Sequence, residues 1–135
     1  MIIVLDTNDL LKIVPVNSKF YWIYEEIKKG NITLALSNEI LSEYEEILSE
    51  FYSPKFAIYT IFTILNIPEL VKQDIYFRWR LIKKDYDDNK FVDCAIACNA
   101  EYIITNDRHF KELKKIDFPK VNCITIEEFS LLLKK

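Results

Sequence analysis

The chain has 135 residues, a formal net charge of −3, and 50% hydrophobic and 29% charged residues. That length and make-up predict one globular domain covering residues 1–135, and the acidic balance excludes a general coat for nucleic acid, whose affinity comes from neutralised phosphates. Gly30 is the only glycine, so neither a Walker loop nor a dinucleotide fingerprint can be built.

The longest uncharged stretch, Phe56 to Pro68, is too short to cross a bilayer. Met1-Ile2-Ile3-Val4-Leu5-Asp6 lacks the basic region of a secretion signal. Three cysteines, with Cys94 and Cys98 one helical turn apart, fit a reduced cytoplasmic interior better than a disulfide framework. With a single His, zinc would need an unusual ligand set.

In chain order, Ile2-Ile3-Val4-Leu5 predicts a strand buried on both faces, as in the interior of a parallel sheet. It runs into Asp6-Thr7-Asn8-Asp9, residue types of a strand-to-helix turn. Ser18 to Lys29 reads as a helix, capped by Asn17 or Ser18 and stopped at Gly30. Ile32 to Leu36 is a second short strand. Ser37 then caps a periodic helix to Phe51, whose apolar stripe is Ile40, Leu41, Tyr44, Ile47, Leu48 and Phe51. Ser53-Pro54 restarts the chain as cap and first helical residue of a helix to about Asn66, apolar nearly all round.

Residues 69–86 fit either strand or helix. Asp87 and Asp88 open a helix over about 88–99, with acids at its positive end. A strand at 102–105, a short helix near 107–115 and a strand at 121–124 follow. Thr125 and Glu128 form a capping box for the last helix. Strands alternating with helices predict a three-layer α/β/α domain with a largely parallel central sheet.

Two of these strands end on a carboxylate: Leu5 leads to Asp6, and Ile104 leads through Thr105 and Asn106 to Asp107. In open parallel sheets ligands bind beyond the carboxyl ends of the strands. Two Asp residues meeting there repel unless a cation lies between them, which points to a hard divalent metal. On helix 37–51, Glu39, Glu46 and Glu50 point away from the apolar stripe, while Glu43 and Glu45 flank it on opposite sides. Either flank can reach a cleft beside the core. Asp93 lies amid Phe91, Val92, Cys94, Ala95 and Ile96, where a carboxylate is costly unless paired or metal-bound. Asp88 lies at the start of the same helix, as cap or ligand. His109 reads as a rim residue, and Arg108, Lys111, Lys114 and Lys115 as a solvated face or a phosphate-steering rim.

Taken together these motifs resemble the PIN-domain ribonucleases. Asp6-Thr7-Asn8 after an apolar strand matches the family's opening D-T-N. Ser37 to Leu48 is similar to its S-x-x-x-x-x-E-x-x-x-x-L helix, which places the family's glutamate on Glu43. Asp85-Tyr86-Asp87-Asp88-Asn89-Lys90-Phe91-Val92-Asp93-Cys94-Ala95 resembles the D-P-D-D-N-K-F-L-E-C-A stretch of its VapC-like subgroup of toxins from toxin–antitoxin pairs. Tyr102 to Asp107 is similar to Y-L-V-T-G-D, and Ile124 to Phe129 to a terminal I-x-x-P-x-E-F. The likeness runs in order from residue 2 to 133. Tyr86 stands where the family has Pro, Asn106 where Gly is common, and Asp93 where it has Glu, one carbon longer.

The resemblance implies a metal-dependent endoribonuclease acting on single-stranded or exposed-loop RNA. It implies that Asp6, Glu43, Asp88 or Asp93, and Asp107 gather one or two Mg²⁺ or Mn²⁺ ions, supported by Thr7, Asn8, Thr105 and Asn106. It implies a cytoplasmic toxin with a cognate antitoxin, and the apolar 54–66 helix adds a homodimer surface or an antitoxin groove. The alternative is a PIN-fold module that binds antitoxin or RNA with little catalysis. A phosphoaspartate receiver is disfavoured by the lack of an acid cluster with a strand-end Lys, and a haloacid-type phosphatase by the lack of D-x-D-x-T.

Overall fold

A computed structural model of the protein describes residues 1–134. Its centre is a five-stranded sheet: β1 (Ile2–Leu5), β2 (Thr33–Leu36), β3 (Val71–Lys72), β4 (Tyr102–Ile104) and β5 (Cys123–Ile124). The strand order is β3-β2-β1-β4-β5 and every pairing is parallel. Helices α1 (Thr7–Ile13), α2 (Tyr21–Lys28), α3 (Asn38–Phe51), α4 (Pro54–Leu65), α5 (Asn89–Cys98) and α6 (Ile126–Leu133) complete a three-layer α/β/α fold. Short 3₁₀ turns cover Tyr86–Asp88 and Arg108–Lys115.

The reason for the parallel sheet is visible in its centre. Ile3, Val4 and Leu5 have no exposed surface, and neither do Ile103 and Ile104 beside them. Strands with apolar residues on both faces need helices on both faces, and that is the parallel arrangement. After β1 the chain builds outward through β2 and β3, then returns to place β4 and β5 on the other side. The direction of winding therefore reverses between β1 and β4, the position at which open α/β sheets bind ligands. Leu5 is in register with Ile104, and Asp6 N donates to Ile104 O at 3.0 Å, so both strands end at the same level.

Local chemistry explains most boundaries. Ser37 Oγ accepts from Ile40 N at 3.4 Å to start α3, and Ser53 Oγ accepts from Phe56 N at 3.0 Å to start α4. Thr125 and Glu128 form the full capping box of α6. Helix α3 buries Ile40, Tyr44 and Leu48, and the Tyr44 hydroxyl donates to Leu5 O at 2.5 Å, pinning α3 to the end of β1. Phe51, at the far end of the expected stripe, is instead 67% exposed.

Three expectations change. The turn after Asp6 is a full helix, α1. The helix foreseen from Ser18 begins at Tyr21, because Ser18 is spent on a turn in which its Oγ accepts from Phe20 N at 3.1 Å and donates to Lys12 O. Residues 69–86 form neither a long strand nor a helix. After the two residues of β3 they run as an extended strap, held by side chains: Asn89 Oδ1 accepts from Ile82 N and Asn89 Nδ2 donates to Ile82 O, both at 2.9 Å. Among the described residues no helix is long and apolar enough to cross a membrane.

Candidate metal centre

Asp6 stands directly after β1 and is almost wholly buried. Its Oδ2 accepts from Thr105 Oγ1 at 2.8 Å, across the β1–β4 junction. Thr105 Oγ1 in turn accepts from Asp107 N at 3.0 Å, so one threonine sets the spacing of both strand-end carboxylates. Asp107 caps the following turn by accepting from His109 N at 2.9 Å. Burial is the main cause that raises the Asp6 pKa, and the charges of Asp107 and Glu43 add to it, against the Thr105 hydrogen bond.

Asp88 arrives from the turn before α5. Burial and then the charges of Asp107 and Asp85 push its pKa up to about 6. His109 Nδ1 lies 3.4 Å from Asp88 Oδ2 and 3.4 Å from Asp107 Oδ1, between the two acids. Among the described residues Asp85, Asp88 and His109 offer donor atoms all within 4.8 Å of one another.

Glu43 reaches the same region from α3, but both of its oxygens are engaged. Thr7 Oγ1 donates to Oε2, and Lys90 Nζ lies 2.7 Å from Oε1. Lys90 is only 8% exposed and completes its set of donors on Asp87, to Oδ1 at 2.8 Å and the carbonyl oxygen at 2.9 Å. An ammonium has three N–H donors, and here all three have oxygen partners. Glu43 is thus neutralised within the protein, and it braces Thr7 beside Asp6.

Asp93 occupies different surroundings. It is buried, its Oδ1 accepts from Trp79 N at 3.0 Å, and it lines a cavity with Glu39 and Arg78. After burial, the groups that perturb it are Trp79, Arg78 and Glu39, not Asp6, Asp88 or Asp107. Five residues of α-helix turn a side chain by about 140° relative to the first, which separates Asp93 from Asp88. Of the residues foreseen, Asp6, Asp88 and Asp107 gather at the β1–β4 junction, Glu43 stands beside them paired to Lys90, and Asp93 faces away. Thr7 and Thr105 support the acids directly. Asn106 bonds Glu127 Oε1 at 3.1 Å and accepts from Ile126 N at 3.4 Å, tying the β4 end to α6, while Asn8 is exposed on α1.

Four residues in or beside this cluster were given no site role by the sequence reading. Asp9 has no exposed surface and lies close enough for the Asp6 charge to raise its pKa, with burial the leading cause. Asp85 joins Asp88 and His109, and its three-residue spacing from Asp88 was the available signal. His109 stands between acids rather than on a plain rim. Lys90 gave no signal, because a lysine in a helix with acids nearby is ordinary.

The donors of this centre fit a hard divalent cation. Asp6, Asp85, Asp88 and Asp107 offer carboxylate oxygens, and burial first, then their neighbours' charge, raises the pKa of Asp6 and Asp88. Oxygen-rich, anionic sites suit Mg²⁺ and Mn²⁺. On one side lies a cavity of about 410 Å³ lined by Lys84, Arg108, His109, Lys111, Glu112 and Lys115. On the other lies the Asp93 cavity.

Comparison with known proteins bears on the fold and the family. Among solved structures the chain is similar to one described as VapBC2 from Rickettsia felis bound to a DNA fragment from their promoter. The TM-score is 0.63 at 23% identity, covering 93% of this chain and 98% of that chain, a likeness of fold. No curated protein matches. The family pattern described as PIN domain matches residues 2–109, the stretch that carries Asp6, Glu43, Asp88 and Asp107, and the chain belongs to that family.

Proposed function

We propose that the protein is a Mg²⁺- or Mn²⁺-dependent endoribonuclease that cleaves single-stranded or exposed-loop RNA, as the cytoplasmic toxin of a toxin–antitoxin pair. The observation that carries this reading is the convergence of Asp6, Asp88 and Asp107 at the β1–β4 junction, with His109 between Asp88 and Asp107 and Asp85 beside them. Asp6, Asp88 and Asp107 would hold the cation, which supplies Lewis-acid activation of water and neutralises charge developing on phosphate. Thr105 fixes the distance between Asp6 and Asp107. Thr7 and Glu43 act as positioning residues, with Lys90 holding Glu43 in place. The basic rim of Arg108, Lys111 and Lys115 would draw the phosphate backbone towards the acids. Membership of the PIN domain family and the fold shared with a toxin–antitoxin complex support the pairing with an antitoxin. The exposed apolar face of α4 supports a homodimer.

Incubation with a labelled single-stranded RNA, with Mg²⁺, Mn²⁺ or EDTA, tests the reading. Metal-dependent cleavage is expected, with Asp6→Asn lowering the rate by at least about a hundredfold, the scale seen when a transition-state charge stabiliser is lost. Absence of cleavage with either metal would favour the alternative, a binding module that uses α4.

A further inference from the structure

A cavity of about 590 Å³ lies beside the acid cluster. The strap supplies Arg78, Arg80 and Lys83, the 3₁₀ turn supplies Tyr86, and α5 supplies Lys90 and Asp93. The volume lies within the roughly 300–1,000 Å³ of small-ligand sites. Its wall is shared with the metal centre, because Lys90 lines the cavity while gripping Glu43 at 2.7 Å.

Its charges are divided in a way that one kind of ligand would use. Arg78 is paired with Glu39 at 2.8 Å. Arg80 and Lys83 have no ion-pair partner among the described residues, and both are exposed. Arg80 is held at φ 55, a left-handed backbone that costs a side-chain-bearing residue about 1–2 kcal/mol. Tyr86 is 67% exposed at the mouth. Asp93, 2% exposed, spends Oδ1 on Trp79 N, and no protein donor engages Oδ2. Open cations, an exposed aromatic ring and a buried acceptor match the phosphate, face and donor edge of a nucleotide.

We propose that this cavity is a nucleotide subsite beside the metal centre, in which Arg80 and Lys83 hold a phosphate, Tyr86 stacks on the base, and Asp93 reads a guanine. Guanine carries N1–H and N2–H side by side, and both can converge on the one unengaged oxygen, Oδ2 of Asp93. Uracil presents a carbonyl oxygen on each side of its one N–H and is repelled. The proposal rests on the RNA-cleaving reading and adds base selection to it.

The test is equilibrium binding of fluorescein-labelled UUUGUUU, UUUAUUU, UUUCUUU and U7 to the full chain carrying Asp6→Asn, read by fluorescence anisotropy. UUUGUUU is expected to bind about tenfold more tightly than U7, the scale of one good base-edge contact. Asp93→Asn should bring that ratio to about one. Arg80→Ala with Lys83→Ala should weaken every oligonucleotide about tenfold, and Tyr86→Ala, at an exposed position, should weaken UUUGUUU by a similar factor without risk to folding. Equal binding of all four oligonucleotides overturns the proposal, as does an Asp93→Asn protein that keeps the preference. Affinity untouched in Arg80→Ala/Lys83→Ala also overturns it, and assigns the cavity to another occupant such as a partner's peptide. RNA cleavage without base preference defeats only the subsite. No binding together with no metal-dependent cleavage defeats the RNA reading itself.

Discussion

Asp9 is fully buried on α1, and neither carboxyl oxygen has a hydrogen-bond partner; Lys12 Nζ stands 3.6 Å away. Burial pushes its pKa up from 3.8 to about 7. Between about pH 4 and pH 7 the unfolded chain has therefore lost a proton that the folded chain keeps. Stability falls as pH rises through that window and levels off above it. Asp88 acts with the same sign over a window that closes near pH 6. Glu127 and Glu128, whose pKa values are lowered chiefly by hydrogen bonds from Asn106 and from the Thr125 backbone, act oppositely and lose their contribution as pH falls. Without metal, the protein should be more stable at pH 5 than at pH 8 in urea denaturation. Asp9→Asn should flatten that difference and raise stability at pH 8 by about 2 kcal/mol. That is less than the roughly 4 kcal/mol of full linkage, because the amide also lacks partners. Asp6 and Asp107 were legible because buried apolar strands deliver them; the helical stripe left Glu43 and Glu45 as equal flanks, and the likeness to the family's helix chose Glu43. Asp9 and Lys90 were not, since what makes them special is the set of atoms around them after folding.

At the scale of elements, α3, α4 and α6 were legible from their own chemistry, since each carries its cap and its periodicity within a few residues. The strap over residues 73–84 was not. Trp79 N and both backbone groups of Ile82 are paired with side chains of Asp93 and Asn89 from α5 rather than with a ladder, so no local period could announce the strap. Asn89 works there as a substitute for a neighbouring strand, donating and accepting at Ile82, which is itself fully buried. Asn89→Ala leaves a buried N–H and carbonyl unpaired, which costs about 2–3 kcal/mol. The strap should then be nicked by trypsin at Arg78, Arg80 or Lys83 under conditions in which the unaltered chain stays whole, visible by mass spectrometry. The turn after Asp6 hid α1 for a different reason: at 7 residues it is too short for a stripe to be read.

For the whole molecule, a largely parallel sheet followed from alternating segments, but the fifth strand β3 and the placement of β4 beside β1 are tertiary outcomes. The face left over is that of α4, where Ile58, Tyr59 and Phe62, within one turn of the helix, are 63%, 68% and 67% exposed. Such a contiguous apolar surface is usually covered by a partner. Light scattering after gel filtration should give twice the chain mass, and Phe62→Glu should give the chain mass alone with unchanged circular dichroism.

The central position of β1 has a consequence for synthesis. Asp6 and Thr105, which must touch for the strand-end acids to take their places, are 99 residues apart. At the roughly 5–20 residues per second of translation, the first waits about 5–20 s for the second to emerge. During that interval β2 can pair with β1, but the other flank of β1 stays open and Asp6 has no companion from β4. The acid cluster thus comes together only after Thr105 has been made. Until then Asp6 and Asp107 share no site, and a cation would meet no paired strand-end carboxylates on the nascent chain.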